Sequence, residues 1–98
     1  MTFTIENERL TAVGTDGRTM GYIAFPRLRG KLVNISQVTV LPDYRGQGVE
    51  TAMLEALLSH LSKHDRKAAL TSPCAQQYMS RNPQWKHLLP GELYFTAH

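Results

Sequence analysis

One cysteine, Cys74, stands among 98 residues, so no disulfide can form within the chain. No stretch approaches the roughly 18 apolar residues of a membrane span. Residues 1–20 hold no apolar segment of the kind a secretion leader carries. Repeats, low-complexity tracts and blocks of like charge are missing as well. These absences lead to the expectation of a soluble protein in a reducing, cytoplasmic setting, with residues 1–98 forming a single domain. Acidic residues are in deficit: 8 against 11 Lys plus Arg gives a net charge of +3. That excess suits an anionic partner, whether cofactor phosphate, nucleic acid or lipid headgroup. The basic residues are scattered rather than clustered, which argues against nucleic acid.

What is present reads as strands followed by a helix. Phe3–Ile5 and Leu10–Val13 alternate weakly, as an antiparallel strand does. Thr15-Asp16-Gly17-Arg18 carries the Asp-Gly hairpin signal. Thr19–Phe25 reads as a second strand ended by Pro26. After a turn at Arg29-Gly30-Lys31, Leu32–Val40 reads as a third, completing an antiparallel meander. The period then changes. Val49, Met53, Ala56, Leu57 and Leu61, with Leu54 and Leu58, recur at helical spacing to about Lys63. Lys67–Thr71 is a short strand, which a crossover helix places parallel to the third. Ala75–Arg81 reads as a short C-terminal helix, Trp85–Leu89 as one more turn, and Leu93-Tyr94-Phe95 as an edge strand open to pairing with a second copy. The expected class is α/β (α+β), a small mixed sheet with a helix on one face.

The most informative stretch is Val38-Thr39-Val40-Leu41-Pro42-Asp43-Tyr44-Arg45-Gly46-Gln47-Gly48-Val49. A strand ends, a glycine turn follows and a helix begins. The first helical N–H groups have no intrahelical partner. Gly46 and Gly48 allow the backbone to approach a ligand, and the helix dipole favours negative charge at the same place. Arg45 adds a guanidinium. Together these groups form a cradle for a pyrophosphate.

On these residues the chain resembles the GCN5-related N-acetyltransferases, whose cofactor signature is Arg/Gln-x-x-Gly-x-Gly/Ala. Arg45 and Gly48 fit it, and Glu50 stands where the signature has Gly or Ala. Over residues 7–89 the chain is also similar to the very short, YjdJ-like members. Their ending looks like Ser72-Pro73-Cys74-Ala75-Gln76-Gln77-Tyr78 followed by Asn82-Pro83-Gln84-Trp85. By that alignment the short members' cysteine falls on Ser72 and their histidine on Gln37.

The resemblance implies a splayed sheet in which acetyl-CoA pairs with Val38 and Val40. Its phosphates would meet Arg45, Gly46, Gln47, Gly48, Val49 and Thr51. An acetyl group would pass to an unidentified amine by direct attack. It also implies that Tyr78, on the helix after the fourth strand, lies near the thioester sulfur. The alternative is a catalytically weak or inactive module that binds CoA or another protein.

Three residues are candidates for catalysis. Cys74 is either a nucleophile or a small buried side chain, and Ser72 either a nucleophile or a helix cap. Tyr78 is either a proton donor or a core tyrosine. His60 and His64 have ligand spacing but no evident third partner, and read as surface residues without a metal. Trp85 reads as a packing anchor, and Arg81 as a solvated charge within reach of a cofactor phosphate.

Overall fold

The computed structural model describes residues 1–90, so the edge strand expected at Leu93–Phe95 lies outside the described residues. Strands β1 (Thr2–Glu6), β2 (Arg9–Val13), β3 (Thr19–Ala24), β4 (Arg27–Arg29), β5 (Leu32–Ile35) and β6 (Gln37–Val40) precede helix α1 (Val49–Lys63). Strand β7 (Lys67–Leu70), helix α2 (Pro73–Arg81) and a 3-10 segment at Pro83–Leu88 follow. Four strands pair antiparallel in the order β1-β2-β3-β6, and β4, β5 and β7 form a second ladder in which β5 and β7 are parallel.

The expected α+β class, the crossover helix and the parallel pairing all stand. The meander has one strand more than the alternation suggested. Asn7 and Glu8 take φ of 53° and 63°, the consecutive left-handed conformation of a tight hairpin turn. They fold Thr2–Val13 back on itself, with Glu6 opposite Arg9. Asn-Glu is a weaker turn signal than Asn-Gly, so the reversal was not legible. The strand expected before Pro26 ends there, β3 closing at Ala24. Pro26 separates β3 from β4, and the chain resumes pairing beyond it. The third expected strand is likewise interrupted at Ser36. Ser36 N–H donates to the Ala24 carbonyl at 3.1 Å and Asn34 N–H to the Pro26 carbonyl at 2.8 Å. These bonds carry the pairing across both interruptions.

The core lies between the sheet and α1. Val49, Met53, Leu54, Leu57, Leu58 and Leu61 are each at most 1% exposed, and they pack with Leu10, Ala12, Ile23, Val33 and Ile35. Burying each large aliphatic side chain stabilises by ~1.5–3 kcal/mol. Helix propensity differences are under ~1 kcal/mol per residue, so packing decides where α1 forms. Gly21 makes the close approach of strands and helix possible. A Cβ there would sit 2.5 Å from the Thr39 carbonyl oxygen and 3.1 Å from Met53 Cε.

Candidate functional site

The site begins where β6 becomes an edge. Leu41 N–H donates to the Met20 carbonyl at 2.9 Å, and Thr39 faces Tyr22 two residues back in the same register. In an antiparallel ladder, hydrogen-bonded and non-bonded positions alternate. The N–H and C=O groups of Val38 and Val40 therefore point away from β3. Beyond Ile35 no strand among the described residues takes them up: β7 ends at Leu70, and the N–H groups of Thr71 and Ser72 both converge on the Ile35 carbonyl, at 3.2 and 3.1 Å. The chain then turns into α2, and the sheet opens beside β6.

The opening leads to the start of α1. Pro42–Tyr44 makes a single 3-10 turn, braced by Gln47 Nε2 donating to the Asp43 carbonyl at 3.3 Å. Gly46 and Gly48 hold φ of 77° and 76°, a region that costs an L residue about 1–2 kcal/mol. No atom of the described residues lies within 4 Å of where their Cβ atoms would be, so conformation and an open approach explain these glycines. The first helical bond runs from Ala52 N–H to the Gly48 carbonyl at 3.1 Å. The N–H groups of Val49, Glu50 and Thr51 thus have no intrahelical acceptor, and no side chain caps them. Arg45 is exposed beside them and makes no ion pair among the described residues.

Two adjoining clefts connect these parts. One, of about 470 Å³, is lined by Val38, Thr39, Val40, Arg45, Gly46, Glu50 and Cys74. The other, of about 250 Å³, lies between α1 and α2 against Glu50, Thr51, Leu54, Cys74, Tyr78 and Arg81. Glu50 and Cys74 line both. A third cleft, of about 570 Å³, starts at Gly48 and Thr51 and runs between Phe3 and Trp85 along Ala52, Ala56 and Ser59.

The expected residues divide accordingly. Val38, Val40, Arg45 and Gly46 line one cleft, and Gly48 and Thr51 border the others. The Val49 side chain is fully buried, so only its backbone faces the turn. Ser72 is buried and caps α2, its Oγ accepting from Ala75 N–H at 3.4 Å. Cys74, in the first turn of α2, faces the opening. Its thiol pKa is raised, first by burial and then by the nearby Glu50 carboxylate. Tyr78 follows one helical turn later, 8% exposed, on the same face of α2. Arg81 lines the smaller cleft.

The His60 and His64 rings lie 4.4 Å apart between centroids with their planes tilted by 48°, near the far end of α1. The pKa of His60 is lowered by burial, then by His64, Arg66 and Lys63. No group of three metal-ligating side chains comes together among the described residues. No local signal links Phe3 to the α1 face beside Trp85, because the two lie far apart along the chain. The shared position of Glu50 and Cys74 was equally hidden, since it depends on how α1 and α2 pack.

Comparison with known proteins adds to this geometry. A family model for GCN5-related N-acetyl-transferases matches residues 9–88. No protein of curated function matches the chain in sequence. Among solved structures, a GCN5-like protein of Staphylococcus aureus superposes with a TM-score of 0.73 at 16% identity, covering 99% of this chain and 96% of that one. A GNAT-family acetyltransferase of the same organism gives 0.61 at 18%, covering 76% of this chain and 50% of its own. A ribosomal-protein-alanine N-acetyltransferase of Brucella melitensis gives 0.57 at 19%, covering 85% and 62%. At these identities the structures share the fold.

Proposed function

The chain belongs to the GCN5-related N-acetyltransferases, and from that premise we propose that it transfers an acetyl group from acetyl-CoA to an amine by direct attack. The observation that carries this reading is the outer edge of β6, unpaired among the described residues, opening onto the uncapped start of α1. An extended substrate arm can add to such an edge as a further strand, with Val38 and Val40 as its backbone partners. Its diphosphate then meets the free N–H groups of Val49–Thr51, the glycine turn and Arg45.

The chemistry asked of the protein is small. An acceptor amine, having lost a proton, attacks the thioester carbonyl carbon. The C–S bond breaks, the nitrogen gives its remaining extra proton to solvent as the amide forms, and CoA leaves as a thiolate that takes up a proton. The outward N–H of Val38 is a fixed donor for the developing oxyanion, and one such donor is worth about 3 kcal/mol. Tyr78, on the face of α2 that lines the smaller cleft, is the proton source for the thiolate. Cys74 is held as a neutral thiol by burial and by Glu50, which speaks against an acetyl-cysteine. Ser72 is committed to capping α2, with no general base beside it among its hydrogen bonds.

Thiol release from acetyl-CoA, measured against a panel of primary amines, tests the proposal. Release that depends on the amine is the expected outcome. CoA binding without amine-dependent release from any member would favour a non-catalytic CoA-binding module. An absence of CoA binding by calorimetry would remove both.

A further inference from the structure

The end of α1 farthest from the glycine turn borders a separate cleft of about 500 Å³. At 1.5 Å per residue, His60 lies ~17 Å along the helix axis from Val49. Three segments bring basic side chains to this cleft. His60 and His64 come from α1 and its C-cap, Arg66 from the link to β7, and Arg27 from β4. Phe25, which is buried, and Ile5, 37% exposed, give the cleft an apolar side.

Like charges gathered around one cleft repel unless something answers them. Little in the protein does. Glu8 lines the cleft, and its Oε2 accepts from the Arg27 backbone N–H at 2.7 Å. Asp65, next to Arg66 in the chain, is paired instead with Lys31 at 3.6 Å. Neither Arg27 nor Arg66 forms an ion pair among the described residues. Burial holds the His60 pKa below its ordinary value, and repulsion from His64, Arg66 and Lys63 adds to the effect. The negative end of α1 favours His60, Lys63 and His64, but Arg27 and Arg66 lie off the helix. The last carbonyls of α1 are also occupied: His60 C=O accepts from His64 N–H at 3.2 Å and Leu61 C=O from Arg66 N–H at 2.9 Å.

We propose that this cleft binds a small organic oxyanion, a carboxylate or phosphate on an apolar body, with the anion among Arg27, Arg66 and the two histidines and the body against Ile5 and Phe25. The site stands apart from the acyl donor and does not depend on the acetyl-CoA reading. Its volume falls within the ~300–1,000 Å³ of small-molecule sites. The charged and titratable groups around His60 are His64 and Lys63 on its own helix, Arg66 after it, Arg27 on β4 and Glu8 in the β1–β2 turn. An added anion offsets the repulsion among them and favours the charged imidazole. The His60 pKa therefore rises on binding, and affinity grows as pH falls. Each unit of that rise corresponds to an affinity about tenfold higher for the protonated form.

Titration of the protein with benzoate and with phenyl phosphate, followed by NMR of the histidine rings and backbone amides, tests the site. Both probes are expected to shift the His60 ring resonances saturably. Benzoate, which stays ionised, is expected to bind more tightly at about pH 5.5 than at about pH 8, with the His60 pKa raised in its presence. His60→Gln should reduce that pH dependence and leave the affinity at the alkaline end unchanged. Arg27→Gln and Arg66→Gln should each weaken both probes by up to about fivefold, the upper end of what an exposed charge pair supplies. Glu8→Gln keeps an oxygen for the Arg27 N–H and removes the charge, so it should tighten both. Probes that leave the His60 ring unmoved, or that shift only the amides of Gly46–Thr51, would overturn the proposal. So would benzoate affinity that does not change with pH.

Discussion

Glu50 and Cys74 lie on different helices yet line the same two clefts, and the carboxylate adds to burial in holding the thiol protonated. One side chain starts α1 and the other starts α2. Their meeting places a negative charge beside the uncapped first turn of α1.

Replacing Glu50 with Gln is therefore expected to lower the Cys74 pKa. The charge contribution disappears and the larger contribution from burial remains, so the pKa falls without returning to its ordinary value. At a fixed, mildly alkaline pH the thiolate fraction rises, and alkylation by iodoacetamide accelerates. A rate–pH profile with an unshifted midpoint would show that the two groups do not interact.

The same residue is expected to weaken donor binding. Glu50→Ala should tighten CoA two- to fivefold, while the lost interaction with the helix dipole lowers stability by about 0.3–1 kcal/mol. Calorimetry and thermal melting read the two effects separately. Affinity that stays level or falls in Glu50→Ala would mean the carboxylate points away from the phosphates.

At Gly48 the backbone holds φ of 76° and the space beside it is open. Gly48→Ala carries only the conformational cost, about 1–2 kcal/mol. Gly48→Val adds bulk on the approach to the helix N–H groups. CoA affinity is expected to fall by more than tenfold in the Val variant and by less in the Ala variant. Unchanged affinity in Gly48→Val would exclude the turn as a phosphate cradle.

Cys74 and Tyr78 share one face of α2 but are assigned different fates. Cys74→Ala is expected to retain most acetyl transfer. Tyr78→Phe is expected to lower kcat by about 10²-fold or more, the scale of a lost proton donor, with KM for acetyl-CoA little changed. Mass spectrometry after incubation with acetyl-CoA alone should find no stoichiometric acetyl group on Cys74. A turnover-competent adduct there would establish the covalent route instead.

Gly21→Ala tests the fold rather than the site. Its Cβ would fall 2.5 Å from the Thr39 carbonyl oxygen, so β3 and β6 have to shift apart. A loss of about 1–3 kcal/mol, the usual cost of overpacking, is expected in denaturant titration. Because β6 carries the open edge, CoA affinity should fall with it. Wild-type stability in this variant would mean the strands yield freely.

The sequence by itself determined the order of elements and the glycine turn that leads into α1. A change from alternation to helical spacing marks α1, and two glycines between strand and helix mark the turn, because both signals are local. It also carried enough of the family pattern for the fold to be read. It did not disclose the Asn7-Glu8 reversal, where no glycine flags the left-handed conformation. Nor did it show that pairing resumes in a second ladder beyond Pro26, or that Ser36 divides the third expected strand. Only the tertiary structure decided that Cys74 faces the opening while Ser72 turns inward to cap α2, since two residues at a strand–helix junction differ by which way the helix starts. Glu50 beside Cys74, Gly21 beneath Thr39, and Phe3 across from Trp85 are likewise products of packing. Each joins residues far apart in the chain, and no local period records how a helix and a sheet come to rest against one another.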